Sequence, residues 1–192
     1  MATTYNNLSD YDPNKIPDAS KFSFAIAVSD WNDKITHSLL KACCETLIKH
    51  GVNETNIFIS HVPGAFELPK ACQWLANHLW NTAAGNEEEI IMADAVIGLG
   101  CVITGETKHD EYISHAVSEG MMKLNLMYDI PFVFGLLTPR TMQQAIDRAG
   151  GKHGNKGVEA AITAIKMADL NLKIFPDEGN SDITPFGNIF PN

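Results

Sequence analysis

The sequence predicts an α/β fold in which helices cover both faces of a central, four-stranded parallel sheet. Four short apolar runs have the length and composition of strands that are buried on both faces. A segment with helical periodicity follows each run, which is typical of a parallel sheet. The chain has 192 residues, 45% of them hydrophobic, so one domain can bury a core that needs neither metal nor disulfide support.

The first two strands are predicted at 22–28, FSFAIAV, and at 56–62, NIFISHV. The segment between them is predicted to be a helix that ends before Gly51, a residue favoured just beyond helix ends. Its apolar face consists of residues spaced four apart: Ile35, Leu39, Cys43 and Leu47. A second helix is predicted over 68–80, and the small, acidic stretch NTAAGNEEE after it is expected to be a surface connection.

The third strand is predicted at 95–100, AVIGLG, and the fourth at 131–137, PFVFGLL. The segment between them predicts a long helix whose apolar face is formed by Ile113, Val117, Met121, Leu124 and Met127. No internal repeat is found in the chain.

Two further helices are predicted after the fourth strand. Thr138 followed by Pro139 is the pattern of an N-cap with proline at the first helical position. A helix is therefore expected to start there and to stop at the pair Gly150 and Gly151. The last helix is predicted over 157–170.

The predicted domain covers 21–172, between a polar N-terminal arm at 1–20 and a C-terminal tail at 173–192 that is expected to be irregular or disordered. The first twenty residues have neither the basic start nor the apolar stretch of a signal peptide, and no run of about 18 apolar residues occurs. A soluble, cytoplasmic protein without a membrane partner is expected. The net charge of -9, with no basic block, argues against nucleic acid as a partner.

The cysteines and histidines do not form a pattern typical of a metal site. No CxxC spacing occurs, and the cysteines are expected to be small, buried residues in a reducing compartment: Cys43, Cys44, Cys72 and Cys101. His109 and His115 are six residues apart, which places them on different faces of a helix. No metal and no other cofactor is predicted.

Three loops are expected to meet at the carboxyl edge of the sheet, where such folds bind ligands: SDWND, VPGAFE and GCVITGETKH. Trp31 in the first loop has a flat face that suits stacking on a heteroaromatic ring. Glu67 in the second either accepts hydrogen bonds from sugar hydroxyls or opposes a helix dipole. The turn between Gly100 and Gly105 suits a phosphate, although glycines also end strands for steric reasons.

His109 is predicted to lie in the first turn of the helix after the third strand, where an imidazole can transfer protons near neutral pH. An unreactive surface histidine is the alternative. Farther on, DRAGGKHGNKG at 147–157 contains Arg148 and Lys156, and arginine suits bidentate phosphate binding. A solvated cationic loop is the alternative there.

Several motifs occur in one order between Phe22 and Leu170: VPGAFELP, GCVITGETKH, IPFVFGLLT and QAIDRAGGKHGNKG, before a helix ending KMADL. Together they resemble the lumazine synthase family, the 6,7-dimethyl-8-ribityllumazine synthases of riboflavin biosynthesis. The resemblance implies a three-layer αβα sandwich of the flavodoxin-like type. It also implies a transferase that condenses 5-amino-6-(D-ribitylamino)uracil with 3,4-dihydroxy-2-butanone 4-phosphate, releasing phosphate and water and using no cofactor.

The resemblance implies that residues of all three loops hold the uracil substrate. Trp31 would stack on the pyrimidine, and Glu67 would accept hydrogen bonds from the ribityl hydroxyls. The other residues implied to surround this substrate are Ala65, Phe66, Cys101, Val102, Ile103 and Phe134.

At the phosphate end, the resemblance implies that Glu106 and Thr107 form the binding turn and that Arg148 grips the phosphate. His109 would be the general acid and base, and Lys156 would assist electrostatically or structurally. No activated nucleophile is needed, because the substrate brings its own amine.

Three residues depart from the family pattern beside the phosphate turn and the histidine: Thr104, Asp110 and Glu111. The competing interpretations are a non-catalytic flavin-binding or lumazine-binding module on the same fold, and a Schiff-base enzyme that uses Lys156. If the three departures from the family pattern act on the site, the substrate affinity or the protonation of His109 is expected to differ from the family norm.

The resemblance also implies self-association. In the family, Phe134 and Arg148 reach the site from a neighbouring subunit, so a homopentamer is the smallest expected assembly. The short GGKHGNKG connection favours an icosahedral shell of 60 subunits, with riboflavin synthase as a further partner.

Overall fold

The computed structural model describes residues 7, 9–78, 80–84 and 87–176. The strands are β1 (Phe24–Ser29), β2 (Ile57–Val62), β3 (Trp80–Ala84), β4 (Glu87–Ile91), β5 (Ala95–Cys101), β6 (Phe132–Leu137), β7 (Ala149–Gly151) and β8 (Gly154–Asn155). The helices are α1 (Asp33–Lys49), α2 (Leu68–Ala76), α3 (His109–Met127), α4 (Met142–Asp147) and α5 (Lys156–Ile174).

The central sheet has four parallel strands in the order β2-β1-β5-β6. This confirms the predicted α/β sandwich, because helices pack on both faces: α1 and α5 on one, α2 and α3 on the other. Every residue of β1 and β5 is buried, as expected for central strands that are covered twice. The edge strand β2 is only partly buried.

Alternate side chains of the central strands belong to different cores. Phe24, Ile26 and Val28 of β1 pack with α1 and α5. Ala25 and Ala27 of the same strand pack with α2 and α3. The period of two along a strand produces this division, so a single apolar run in the sequence supplies both cores.

The structure corrects the start of α4. Thr138, the predicted cap, lies before the helix together with Pro139. The observed cap is Thr141, whose hydroxyl accepts a hydrogen bond from the Gln144 amide (3.2 Å). Residues 137–139 are instead held beside the loop after β5, where the Thr104 amide donates to the Pro139 carbonyl (3.1 Å). This hydrogen bond continues the contact between the segments that follow β5 and β6.

The segment after β2 also differs from the prediction. Helix α2 ends at Ala76, and it does not continue over the predicted range 68–80. The expected surface connection contains strands β3 and β4, which form an antiparallel hairpin. At the end of α2, the side-chain amide of Asn77 donates to the Gln73 carbonyl (2.9 Å).

The glycine-rich connection before α5 contains the short hairpin of β7 and β8, which the sequence analysis did not predict. Gly154 has a φ of 81°, a conformation that side chains disfavour. A Cβ on Gly157 would collide with the Leu39 backbone carbonyl oxygen, so glycine lets α5 begin close to α1. Helix α5 continues to Ile174, four residues beyond the predicted end.

The described part of the N-terminal arm contacts the domain. The Ser9 hydroxyl donates to the Asn155 carbonyl (2.9 Å) and accepts from its amide (2.6 Å). The Tyr11 hydroxyl lies 3.1 Å from Nε2 of His50. The boundaries at 20 and 172 stay predictions, and most of the predicted tail, 177–192, lies outside the described residues.

All four cysteines are free thiols, and three of them are buried. Among the described residues, no helix is both long and apolar enough to cross a membrane.

Candidate active site

The loops after β1, β2 and β5 meet at the carboxyl edge of the sheet and surround a cavity of about 630 Å³. We call it the sheet-edge cavity. The topology explains its position, because carboxyl ends of parallel strands lie at one edge. Its lining includes nine of the predicted site residues: Trp31, Ala65, Phe66, Glu67, Cys101, Val102, Ile103, Thr107 and His109.

Backbone hydrogen bonds fix the loop that carries Trp31. The Asp30 amide donates to the Val62 carbonyl (2.8 Å), and the Trp31 amide donates to the Pro63 carbonyl (3.2 Å). These bonds hold the first loop against the second. The Trp31 side chain is 69% exposed at the cavity, so its indole face is open to a flat ligand.

Asn32 is a cavity residue that the sequence analysis missed. It adopts the left-handed conformation, with φ 61° and ψ 43°, at the start of α1. Its side-chain amide donates to the Cys101 carbonyl (2.9 Å) and so joins the first loop to the end of β5. The signal in the sequence was an asparagine directly before a helix, since asparagine tolerates this conformation better than most residues.

The second loop forms a short 3₁₀ turn, Ala65–Glu67, before α2. The Gly64 amide donates to Oε2 of Glu67 (3.0 Å). Glu67 therefore satisfies an amide at a helical start, and its carboxylate lies where it could also oppose a helix dipole. Since Glu67 also lines the cavity, both of its predicted roles are compatible with its position.

The glycines that frame the third loop have different surroundings. A Cβ on Gly100 would lie 2.8 Å from Leu136 Cδ1 and 2.9 Å from Leu68 Cδ1. A side chain at position 100 would therefore displace two leucine side chains in the core, which agrees with the steric reason for a glycine at a strand end. A Cβ on Gly105 would meet nothing within 4 Å. Glu106, next to Gly105, is exposed and is not among the cavity residues.

Burial determines the chemistry of Cys101. The residue is 3% exposed, and desolvation raises the pKa of its thiol to about 11. The thiol is therefore neutral near pH 7 and unsuited to act as a nucleophile. The next residue, Val102, donates its amide to the Leu137 carbonyl (2.8 Å), which continues the pairing of β5 with β6.

His109 is the first residue of α3 and lines the cavity together with Thr107 and Asp110. Its amide lies 3.5 Å from the Thr107 hydroxyl. His109 therefore lies at a helix start beside the cavity, which is the position predicted for it. Of the residues that depart from the family pattern, Asp110 lines the cavity, whereas Thr104 and Glu111 are exposed outside it.

A second cavity, of about 480 Å³, lies beyond the end of β6 and contains Arg148 and Lys156. Arg148 Nη1 forms an ion pair with Glu159 Oε1 (2.6 Å) and donates to the His153 carbonyl (2.8 Å). Lys156 Nζ lies 3.3 Å from Glu159 Oε2. We call this arrangement the arginine cluster; the sequence analysis identified its two cations but missed Glu159.

The described residues that line the sheet-edge cavity include no lysine and no arginine. Four of the predicted site residues lie outside it: Glu106, Phe134, Arg148 and Lys156. Phe134 belongs to the edge strand β6, where its side chain is 39% exposed although the rest of the strand is buried. Within one protomer, nine predicted site residues therefore line the sheet-edge cavity, the two cations lie in the second cavity, and Glu106 and Phe134 line neither cavity.

A family model of 6,7-dimethyl-8-ribityllumazine synthase matches residues 21–171. The synthase of that name from Parabacteroides distasonis is 52% identical over 171 residues, which are 89% of this chain and 99% of that protein. The one from Porphyromonas gingivalis is 48% identical over 88% of this chain and 98% of its own length. The one from Phocaeicola vulgatus is 47% identical, with shares of 91% and 96%. The chain therefore belongs to the 6,7-dimethyl-8-ribityllumazine synthase family.

Proposed function

We propose that the chain condenses 5-amino-6-(D-ribitylamino)uracil with 3,4-dihydroxy-2-butanone 4-phosphate in the sheet-edge cavity. The product is 6,7-dimethyl-8-ribityllumazine, with phosphate and water released. The observation that carries this proposal is the convergence of Trp31, Glu67 and His109 from three separate loops on one cavity in a member of this enzyme family. The three relatives described above are all named as synthases, which favours an enzyme over a flavin-binding module.

The uracil substrate is proposed to lie along the third loop. Its ring stacks on the exposed indole of Trp31. Backbone groups at Cys101, Val102 and Ile103 contact the ring edge, and Ala65, Phe66 and Glu67 hold the ribityl chain. One oxygen of Glu67 is held by the Gly64 amide, so the loop orients this carboxylate before a hydroxyl arrives.

His109 is proposed to move the protons of the reaction. The substrate amine attacks the ketone, an imine forms, phosphate is eliminated and the ring closes with loss of water. Each of these steps transfers a proton, and an imidazole can act as acid and base near neutral pH. Lys156 does not form a Schiff base in this scheme, because the substrate supplies the amine and the Lys156 ammonium is paired with Glu159.

Phosphate binding is proposed to require a second subunit. A leaving phosphate needs a cation or several amides to stabilise its charge, and the described residues that line the sheet-edge cavity include neither lysine nor arginine. The turn at Glu106 and Thr107 supplies amides, and Arg148 of a neighbouring protomer supplies the guanidinium. Phe134 of that neighbour covers the uracil site, which explains a large aromatic side chain exposed on an edge strand.

A heterologous interface that closes on itself forms a ring, and a ring of five subunits is the proposed active unit. The short connection before α5 favours further assembly into a shell of 60 subunits, with riboflavin synthase as a partner. The cytoplasm is the proposed compartment, since four thiols remain unpaired.

The function is tested by mixing the protein with both substrates and following lumazine fluorescence against a protein-free control. We expect a large excess rate, and a loss of about 10²- to 10⁴-fold in kcat for His109→Asn. His115→Asn, an exposed histidine outside both cavities, is the matched control and should keep full activity. A wild-type rate equal to the protein-free rate, with ligand bound, would establish the binding module instead.

A separate experiment tests whether two neighbouring protomers contribute to one active site. Trp31→Ala and Arg148→Ala should each be nearly inactive as pure oligomers. After dissociation and reassembly of an equal mixture, about a quarter of the interfaces should pair an intact Trp31 with an intact Arg148 and regain activity. No recovery in mixed oligomers, verified to contain both variants, would place the whole site in one protomer.

A further inference from the structure

Three potential metal ligands converge beside the sheet-edge cavity. They are Asp30 from the loop after β1, His37 from α1 and His61 from β2, and one ligand atom of each lies within 4.8 Å of the others. None of them lines the sheet-edge cavity, and none has a role in the proposed reaction.

We propose that Asp30, His37 and His61 form a binding site for a borderline divalent transition-metal ion such as Zn²⁺. Two imidazoles and one carboxylate are the donor set that such ions prefer, and three protein ligands leave a coordination position for water. Mg²⁺ and Ca²⁺ prefer sites built from oxygen atoms alone. The donor set therefore selects the class of ion.

The three ligand atoms lie almost as close together as the ligand atoms of a zinc-loaded site. Ligand atoms on one tetrahedral zinc ion lie about 3.4 Å apart, given bonds of about 2.0 to 2.1 Å. Oδ1 of Asp30 is 2.8 Å from Nδ1 of His61, and the rings of His37 and His61 meet edge to face with centroids 5.8 Å apart. All three side chains are exposed. Small rotations of these side chains can therefore bring the more distant ligand atoms to the spacing of a zinc site without disturbing the core.

Hydrogen bonds fix the backbone segments that carry the three ligands. Asp30 donates its amide to the Val62 carbonyl (2.8 Å), directly after His61 in the chain. His37 lies on α1, whose start is joined to β5 by Asn32. Ligands on strands, helices and bonded loops form more precise metal sites than ligands on free loops. The net charge of -9 also raises the local concentration of cations.

A metal ion at this position would connect the two loops that carry Trp31 and Pro63, because Asp30 precedes Trp31 and His61 lies two residues before Pro63. Both of these neighbours line the sheet-edge cavity. The ion would brace the wall on which the uracil substrate is proposed to stack, and it would take no part in the bond-making steps.

Calorimetric titration of the purified oligomer with Zn²⁺ tests the proposal. We expect one ion per subunit, no comparable binding of Mg²⁺, and a loss of affinity of at least about 10-fold in His37→Ala and in His61→Ala. The matched control is His115→Ala, which removes an exposed histidine outside the cluster and should bind as the wild type does. Substrates are absent, so the result is independent of the turnover assay.

Co²⁺ provides a second readout, because its visible absorption reports imidazole and carboxylate ligation. The wild type should develop a Co²⁺ spectrum that Asp30→Asn alters and the double variant His37→Ala/His61→Ala abolishes. Unchanged Zn²⁺ affinity in both single histidine variants, or equal binding of Zn²⁺ by the double variant, would overturn the proposal. In either case Asp30 and His61 would be a hydrogen-bonded surface pair only.

Discussion

Asn32 is the residue whose replacement tests most directly how the cavity is built. It holds a left-handed backbone conformation at φ 61°, and its side-chain amide donates to the Cys101 carbonyl at 2.9 Å. Asn32→Ala removes the hydrogen bond and places a poorly tolerated side chain in that conformation. Asn32→Gly removes the same hydrogen bond but accepts the conformation without strain.

The two effects can be separated in magnitude. Loss of one hydrogen bond to a buried strand end costs about 1 kcal/mol, and a left-handed alanine costs about 1 kcal/mol more. We therefore expect Asn32→Ala to lower the free energy of unfolding by about 2 kcal/mol and Asn32→Gly by about 1 kcal/mol. For a chain of this length, the melting temperature should fall by about 4 to 8 °C and about 2 to 4 °C respectively.

Thermal unfolding of both variants and the wild type, at one protein concentration, measures these differences; the concentration must be fixed because assembly contributes to stability. Both variants should also raise the KM for the ribitylaminouracil, since the loop of Trp31 loses its link to β5. Equal melting temperatures for Asn32→Ala and Asn32→Gly would refute the strain argument. A wild-type melting temperature in both would refute the hydrogen-bond argument as well.

Three further predictions concern the charged and thiol groups. Glu159→Gln leaves the partly buried Arg148 without its carboxylate partner. The substitution should lower the free energy of unfolding by about 2 kcal/mol and raise the KM for the butanone phosphate. Unchanged stability and an unchanged KM would contradict this prediction. Cys101→Ala should keep kcat within about threefold, since burial raises the thiol pKa to about 11 and leaves about 0.1% thiolate at pH 8; a large loss of kcat would indicate thiol chemistry. A hydrogen bond from Gln143 and the nearby Lys152 lower the pKa of Asp147. The ionised carboxylate of Asp147 therefore stabilises the folded protein fully above about pH 4, and this stabilisation is lost as the pH falls through the lowered pKa. The stability difference between wild type and Asp147→Asn, followed by urea unfolding, should shrink over that range.

The order of strands and helices was predictable because each central strand is a short apolar run. The run AVIGLG at 95–100 belongs to a strand buried along its whole length, and no helical period competes with it. The start of α4 was not predictable in the same way. Thr138 and Thr141 both suit an N-cap, and the hydrogen bond from Thr104 to Pro139 that decides between them joins residues far apart in sequence.

The hairpin of β3 and β4 had a local signal that was not used. The pair Gly85–Asn86 stands between the two strands in the sequence, and such dipeptides favour two-residue hairpin turns. Composition alone, small and acidic, suggested only a surface connection. Turn chemistry was therefore more informative here than hydropathy.

The positions of the site residues were predictable only as far as topology determines them. Parallel strands bring their carboxyl ends together, so the three loops were expected to meet, and they do. Glu159 could not be identified this way, since its carboxylate matters only because Arg148 and Lys156 fold against it. An ion pair across a turn and a helix start depends on side-chain geometry that no hydropathy pattern contains.

The arginine cluster engages Arg148 through one of its three nitrogens. A guanidinium has N–H donors on all of its nitrogens, and the contacts of Arg148 with Glu159 and with the His153 carbonyl both use Nη1. If Arg148 grips the phosphate, its Nη2 and Nε are the nitrogens suited to a bidentate contact. Glu159 would then be a positioning residue, because it fixes the plane of the guanidinium without contacting the substrate. A raised KM for the butanone phosphate in Glu159→Gln, with kcat nearly unchanged, is the pattern expected of that role.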